Sequence, residues 1–463
     1  MPDVEHGSPI ATEPGSDRAL KSSSERHVYH RDIDISPLGR PIVFEHGERV
    51  AKNRLLKAAM TERMASWHPT NLAQRGVPTA DMVRLYERWG EGGYGVIITG
   101  NIFIANDQLE SRGNATIPLN CPFHDERFDA YEDIAGAAKK HGSLIVAQLN
   151  HPGRQVPISI NANPISASNV KLEGVHLNQI FGPPRMATAI DLWYVVQGFG
   201  YAAEYLEEVG FDGIQIHAAH GYLLSQFLSS NTNHRLDMYG GDIRARARLL
   251  TRITDFCRHR TRNGFIIGIK LNSVEFQDGG LTPAEAAELC DILESTESVD
   301  FVELSGGTYE RMAFRHQRES TRRREAFFAE FAELIVPRLN RTRSYLTGGF
   351  RSAGAMAAAM AECGVDGVGI GRPTAQEPNL ANGILKQEIP GALKLKIPEE
   401  NFPVTVAAAG ALMRMISEGR EPADLTKEEN VNALMLHITA HLQRMRYDVM
   451  LAGHAPMVKS YVD

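Results

Sequence analysis

A chain of 463 residues with 49 basic and 56 acidic side chains carries a formal charge of −7, which offers nucleic acid no basic footprint. Its length fits two or three ordinary domains or one large barrel with inserted loops, so the order of elements has to decide. Cys121, Cys257, Cys290 and Cys363 are too scattered for a disulfide framework, a zinc site or an iron–sulfur cluster. No charged-then-apolar leader occurs, and no apolar run reaches about 18 residues. A cytoplasmic protein without membrane segments is therefore expected.

Residues 1–32 hold Pro2, Pro9, Pro14 and the serines Ser22 to Ser24, with no aromatic before Tyr29. Such a composition predicts a disordered tail. Ile42, Val43 and Phe44, followed by Arg49 and Val50, predict a short hairpin ahead of the main fold.

From Asn53 onward short apolar runs alternate with helical patterns. The runs at 54–57, 95–99, 144–148, 213–217, 265–271, 301–304, 344–347 and 367–370 predict eight strands. Several are continuously apolar, as burial on both faces of a parallel strand demands. Between them, Met82, Leu85, Tyr86 and Trp89 stop at Gly90. Leu192, Val195, Val196, Phe199, Ala203, Leu206 and Val209 share one helix face and stop at Gly210. Thr282-Pro283-Ala284-Glu285 is a capped helix start, and Met356, Ala359, Met360 and Cys363 stop at Gly364.

Strict alternation of this kind predicts an α/β fold, a (β/α)8 TIM barrel over residues 33–390, with a doubly wound open sheet as the alternative. Beyond residue 391 Leu434, Ile438, Leu442 and Met445 repeat with helical period. They predict a C-terminal helical extension, 391–463, packed on the barrel or at a subunit contact; a homodimer is the assembly considered.

In such a barrel the active site lies at the strand ends of one face. Strand one runs into Ala58, Ala59, Met60 and Thr61, small enough in part for a flat ligand to approach the backbone. Strand two ends at Asn101 and strand three at Gln148, and strand five carries Lys270. Strand seven is followed by Gly348, Gly349, Phe350 and Arg351, and strand eight by Gly371 and Arg372. Glycine-rich turns there free backbone N–H groups for an anion, and Arg372 adds a guanidinium fork, so a phosphate is expected.

Strand four ends in His217-Ala218-Ala219-His220-Gly221-Tyr222. Two imidazoles and a phenol from one strand end can grip a carbonyl oxygen and supply a proton. The same spacing can bind a metal, but no third ligand lies close in sequence. His151, Arg154, Tyr309 and Arg351 fall on the same face. Arg322-Arg323-Arg324 reads as a solvated charge run, and the long connection 149–191 as a lid.

The segments 53–61, 217–228 (HAAHGYLLSQFL), 235–241 (RLDMYGG) and 367–373 (GVGIGRP) resemble the old yellow enzyme family of NAD(P)H:flavin oxidoreductases, in the right order from about residue 35 to about 390. The resemblance implies tightly bound, non-covalent FMN with NAD(P)H as co-substrate. The implied cofactor contacts are Ala58, Ala59, Met60, Thr61, Asn101, Gln148, Lys270, Gly348, Gly349, Phe350, Gly371 and Arg372.

It also implies an ene-reductase. Hydride passes from NAD(P)H through FMN to the β-carbon of an activated alkene such as an α,β-unsaturated carbonyl. His217 and His220 hold the carbonyl or nitro oxygen, and Tyr222 protonates the α-carbon. Three departures from the family pattern stand out. Lys270 replaces an arginine, Asp242-Ile243-Arg244-Ala245-Arg246 replaces Ser-x-Glu-Asn-Arg, and Asn101 replaces a small residue. A larger relative that reduces dienoyl-CoA would need clustered cysteines and a dinucleotide motif after 391, which are missing. A flavin-dependent isomerase on the same scaffold and a non-catalytic flavin-binding barrel are the alternatives.

Overall fold

The computed structural model describes residues 25–46, 48–176, 179–273, 275, 279–306, 329–397 and 401–447. The tail up to residue 24, Tyr309 and the arginines 322–324 lie outside them.

The eight expected strands form: β1 (Leu55–Lys57), β2 (Val96–Phe103), β3 (Leu144–Asn150), β4 (Gly213–Ala218), β5 (Ile266–Asn272), β6 (Phe301–Ser305), β7 (Arg343–Thr347) and β8 (Gly367–Ile370). Neighbours pair in parallel in chain order, and β8 returns to β1 by placing Val368, Gly369 and Ile370 beside Leu55, Leu56 and Lys57. The sheet is therefore closed, and the open-sheet alternative falls. A short strand, Ala115–Thr116, adds to the far end of β2.

Helices α1 (Ala80–Gly90), α2 (Glu126–Lys139), α3 (Ala189–Glu208), α4 (Ile243–Arg260), α5 (Pro283–Thr296), α6 (Ala329–Ile335), α7 (Ala353–Cys363) and α8 (Leu380–Leu385) surround the barrel. Their ends follow local chemistry. Thr282 Oγ1 accepts from Glu285 N at 3.2 Å while the Glu285 carboxylate accepts from Thr282 N at 3.0 Å, closing the capping box on α5. α4 begins at Asp242, whose side chain accepts from Ala245 N at 2.9 Å. The departure from the family pattern at 242–246 thus still supplies a cap.

Inside the barrel the N-terminal hairpin, Ile42–Phe44 with Arg49–Ala51, closes one end. Ile42, Phe44 and Ala51 pack with Leu56, Val96, Ile98, Val146, Ile266, Phe301 and Tyr345. Aromatic rings interlock there, Phe301 lying 5.8 Å from Phe44 and 5.7 Å from Tyr345 between centroids. The larger apolar cluster lies outside the strands, under the helices. An apolar plug at the hairpin end leaves the opposite end for polar groups.

Packing begins earlier than the composition of the tail predicts. Arg26 is buried, donating to Glu377 Oε1 at 2.7 Å and to Gly391 O at 2.9 Å, and His27 N donates to Ala392 O. A buried guanidinium needs such partners, so these residues join both ends of the barrel segment across the expected boundaries at 33 and 391. The C-terminal extension is helical as expected, with α9 (Phe402–Ser417) and α10 (Glu428–Tyr447). Arg84 of α1 donates to Ser417 O at 2.6 Å and Arg414 reaches Asp81 at 3.2 Å, seating α9 on α1.

Phe301→Ala would empty the ring stack between barrel and hairpin and is expected to cost about 3–5 kcal/mol. Urea denaturation of the two proteins measures it, and a loss below about 1 kcal/mol contradicts the plug.

Candidate functional site

The β2 strand carries the decisive irregularity. Ile98 is level with Val146, but Asn101 rather than Gly100 is level with Gln148, so one extra residue is inserted. Such a bulge re-aims the side chain that follows it. The Glu62 carboxylate holds the bulge by accepting from Gly100 N at 2.9 Å and from the Tyr86 hydroxyl. A Cβ on residue 100 would lie 2.2 Å from that carboxylate, so only glycine fits.

Thus redirected, Asn101 is buried and connects three elements. Its Nδ2 lies 3.3 Å from Thr61 Oγ1, 3.4 Å from Tyr222 Oη and 3.4 Å from Glu110 Oε2, while its Oδ1 accepts from Asn150 Nδ2 at 3.1 Å. The Tyr222 hydroxyl donates to Glu110 Oε2. Glu110, in the loop after β2, is a site residue for which the sequence carries no signal.

At the end of β4, His217 lies centroid-to-centroid 4.8 Å from Tyr222 and 5.0 Å from His220, edge-on to both. His217 Nδ1 accepts from Ala219 N at 3.2 Å, so the neutral ring carries its hydrogen on Nε2 as a donor. His220 has φ +58° and Gly221 φ +76°, a left-handed pair that turns the chain back toward the barrel. It brings His220 Nε2 within 3.0 Å of Ser305 Oγ at the end of β6, and His220 N donates to Asn272 Oδ1 at the end of β5. Burial, reinforced by the neighbouring Lys270 ammonium, lowers both rings, His220 to about 3. Both are neutral at pH 7.

A second polar chain crosses the interior. Gln148 Nε2 donates to Gln215 Oε1 at 2.6 Å, Gln215 Nε2 to Glu303 Oε2 at 2.7 Å, and Lys270 Nζ to Glu303 Oε1 at 2.8 Å. Lys270 and Glu303 are both buried, and the Lys270 ammonium holds the Glu303 carboxyl below its usual value against the cost of burial. Glu303 takes one of the three ammonium hydrogens. The single acid in the apolar run 301–304 was the available clue to it.

The third group lies on the rim of β7, β8 and β1. Gly348 and Gly349 have φ +154° and +76°, and a Cβ on Gly371 would meet nothing within 4 Å. The β8 turn therefore has open space at Gly371, and the β7 turn has the left-handed backbone of Gly349, features that suit a phosphate. Ala58 N donates to Ile370 O at 2.9 Å, which sets 58–61 beside the β8 turn. Arg372 lies 5.7 Å from the centre of the Phe402 ring and donates to Thr405 of α9.

Donors for an anion on one side and amide, hydroxyl and ammonium groups in the interior match the phosphate tail and the polar ring edge of FMN. Phe350 departs from the expected set in one respect: its ring is 1% exposed and belongs to the core under the helices, leaving only its backbone for a ligand. Of the residues expected on this face, His151 Nδ1 accepts from Gly153 N at 3.1 Å and Arg154 donates to Val170 O and Lys171 O, bonds that fasten the connection after β3. The connection expected as a lid is tied down through Ser166 Oγ to Gln226 and Arg235 to Ala187 O, both at 2.8 Å. Among the described residues no cluster of metal-ligand side chains occurs, and no helix is long and apolar enough to cross a membrane.

The family model described as NADH:flavin oxidoreductase / NADH oxidase matches residues 38–390. The NADH-dependent flavin oxidoreductase nadA of Aspergillus parasiticus is 45% identical over 418 residues, 90% of this chain and 94% of that protein. The NADH-dependent flavin oxidoreductase iccE of Talaromyces variabilis is 34% identical over 360 residues, 72% of this chain and 83% of that one. Among solved structures, morphinone reductase superposes with a TM-score of 0.63 at 22% identity, covering 78% of this chain and 92% of that one. The old yellow enzyme homologue from Zymomonas mobilis gives 0.62 at 24%, covering 78% and 95%. At such identity these two speak for the barrel alone. The family match and the relatives extend over the whole barrel: the chain belongs to the NADH:flavin oxidoreductase / NADH oxidase family, of the old yellow enzyme type, with FMN and NAD(P)H as the cofactors that membership implies.

Proposed function

We propose that the chain is an ene-reductase acting on activated alkenes such as α,β-unsaturated carbonyl or nitro compounds, with NADH the expected reductant. The observation that carries this reading is the His217–His220–Tyr222 cluster at the β4 end, with His217 4.8 Å from the phenol. Hydride exchange between the nicotinamide and the substrate's β-carbon is what bound FMN supplies. Gly348, Gly349, Gly371 and Arg372 would hold its phosphate. Ala58, Ala59, Met60, Thr61, Asn101, Gln148 and Lys270 would hold its ring, Lys270 offering the two ammonium hydrogens that Glu303 leaves.

The rest is work for side chains. Negative charge develops on the substrate oxygen as the β-carbon gains hydride, and donors fixed beforehand stabilise that charge more than they stabilise the ground state. His217 is such a donor through Nε2–H, and His220 through Nδ1–H with its Nε2 accepting from Ser305 Oγ. Being neutral, they give up no proton of their own to the oxygen, which leaves protonation of the α-carbon to the Tyr222 phenol.

Tyr222→Phe is expected to slow alkene reduction by about 10²–10⁴-fold while leaving reduction of the flavin by NADH near its normal rate. Anaerobic stopped-flow traces with NADH, NADPH and a panel of enones and nitroalkenes separate the two halves. Turnover without net consumption of nicotinamide would instead indicate an isomerase, and a yellow protein inert to both nicotinamides a flavin-binding barrel.

Neutral buried histidines also set a pH dependence. Ordinary values near 6.5 in the unfolded chain against about 3 for His151 and His220 in the folded one mean that the unfolded state binds protons first as pH falls. Stability is thus complete above about pH 6.5 and is lost toward pH 3, by up to about 1.4 kcal/mol per pH unit for each such group. Urea midpoints at pH 7.5 and 5 check it; equal midpoints contradict neutral burial.

A further inference from the structure

Glu110 is 5% exposed, in the loop after β2, and nothing in the ene-reductase reading has yet used it. A buried carboxylate costs several kcal/mol unless its oxygens are satisfied. On Oε1, Asn114 Nδ2 lies at 3.4 Å and the Arg63 guanidinium at 3.9 Å. On Oε2 the Tyr222 hydroxyl donates, with Asn101 Nδ2 at 3.4 Å from both Oε2 and the phenol oxygen. The phenol is therefore held at two points, by an acceptor for its hydrogen and by an amide donor to its oxygen. An unrestrained tyrosine at the end of a turn would swing about its side-chain torsions. This one is fixed in the plane where His217 meets it edge-on at 82°.

We propose that Glu110 is the positioning residue for Tyr222, fixing the phenol so that its proton is delivered to a single face of the substrate's α-carbon. The inference rests on Tyr222 being the proton donor. In the step it serves, the nicotinamide has supplied two electrons as hydride to the β-carbon, and the resulting enolate carries the electron pair that forms the new C–H bond. The phenolic O–H turns from Glu110 Oε2 to the α-carbon about a phenol oxygen that stays in place, breaks as that bond forms, and solvent returns a proton to the phenolate. Glu110 bonds Tyr222, Asn101 and Asn114 of the chain itself. It acts by limiting the directions from which the phenol can approach, which a glutamine can only partly reproduce, because a neutral amide accepts a hydrogen bond more weakly than a carboxylate.

The test compares Glu110→Gln, Glu110→Asp, Tyr222→Phe and the Gln/Phe double variant as FMN-loaded proteins. Each is reduced by NADH, then reoxidised anaerobically by cyclohex-2-enone, and by 2-methylcyclohex-2-enone in D2O. Glu110→Gln is expected to slow reoxidation about 10–100-fold, to raise the solvent isotope effect and to scramble deuterium between the two faces at the α-carbon. The double variant should be no slower than Tyr222→Phe, as for two residues acting through one proton. Glu110→Asp keeps the charge with a shorter reach. It should show a smaller loss with the same shift in isotope effect, and serves if the glutamine variant does not fold. Normal reoxidation and facial purity in Glu110→Gln beside a slow Tyr222→Phe would overturn the role of Glu110 alone, as would multiplying losses in the double variant or an unchanged isotope effect in Glu110→Asp. Normal reoxidation in Tyr222→Phe as well would overturn the proton donor together with it.

Discussion

Closure of the parallel ladder between β8 and β1 is the constraint on which the rest depends. Val368, Gly369 and Ile370 must lie beside Leu55, Leu56 and Lys57 for the sheet to have no edge. Once it is closed, every inward-facing residue is placed against inward-facing residues of other strands, with no freedom to slip by one position without turning each side chain to the opposite face. The seam carries its own charge, since Lys57 is wholly buried under the Trp89 ring at 3.7 Å and donates to Ile98 O. Burial lowers this ammonium to about 7.

The closed barrel is divided along its axis. Aromatic rings and the hairpin fill one end, and polar groups fill the other, where Gln148 bonds Gln215, and Gln215 and Lys270 both bond Glu303. A low-dielectric interior makes such a chain costly if any member is missing and rigid when all are present. This rigidity is what a site needs if it is to hold a flat ring on one side and a reacting carbon on the other. The His217–Tyr222–Glu110–Asn101 group sits beside it, held by a bulge in β2 and a left-handed turn after β4.

The arms outside the barrel converge on the same rim. Helix α9 meets Arg372 through Phe402 and Thr405, and the 149–191 connection is fastened to the segment after β4 through Ser166, Gln226 and Arg235. The C-terminal extension is thereby more than an appendage: it contacts the arginine proposed to hold the phosphate.

The order and type of the elements were legible in the sequence because a parallel strand buried on both faces is apolar along most of its length, and because helix caps such as Thr282 with Glu285 act within four residues. His217, His220, Tyr222 and Lys270 were legible too, as polar groups placed where apolar runs stop. What the linear pattern could not carry was anything joining distant strands. The bulge that turns Asn101 inward depends on Glu62 and Tyr86 from other elements, the Tyr222 phenol finds Glu110 only after the loop past β2 folds over it, and the Phe350 ring goes to the outer core rather than the rim. Local periodicity records which face of its own element a residue occupies; which partner waits on that face is decided only when the ladder closes.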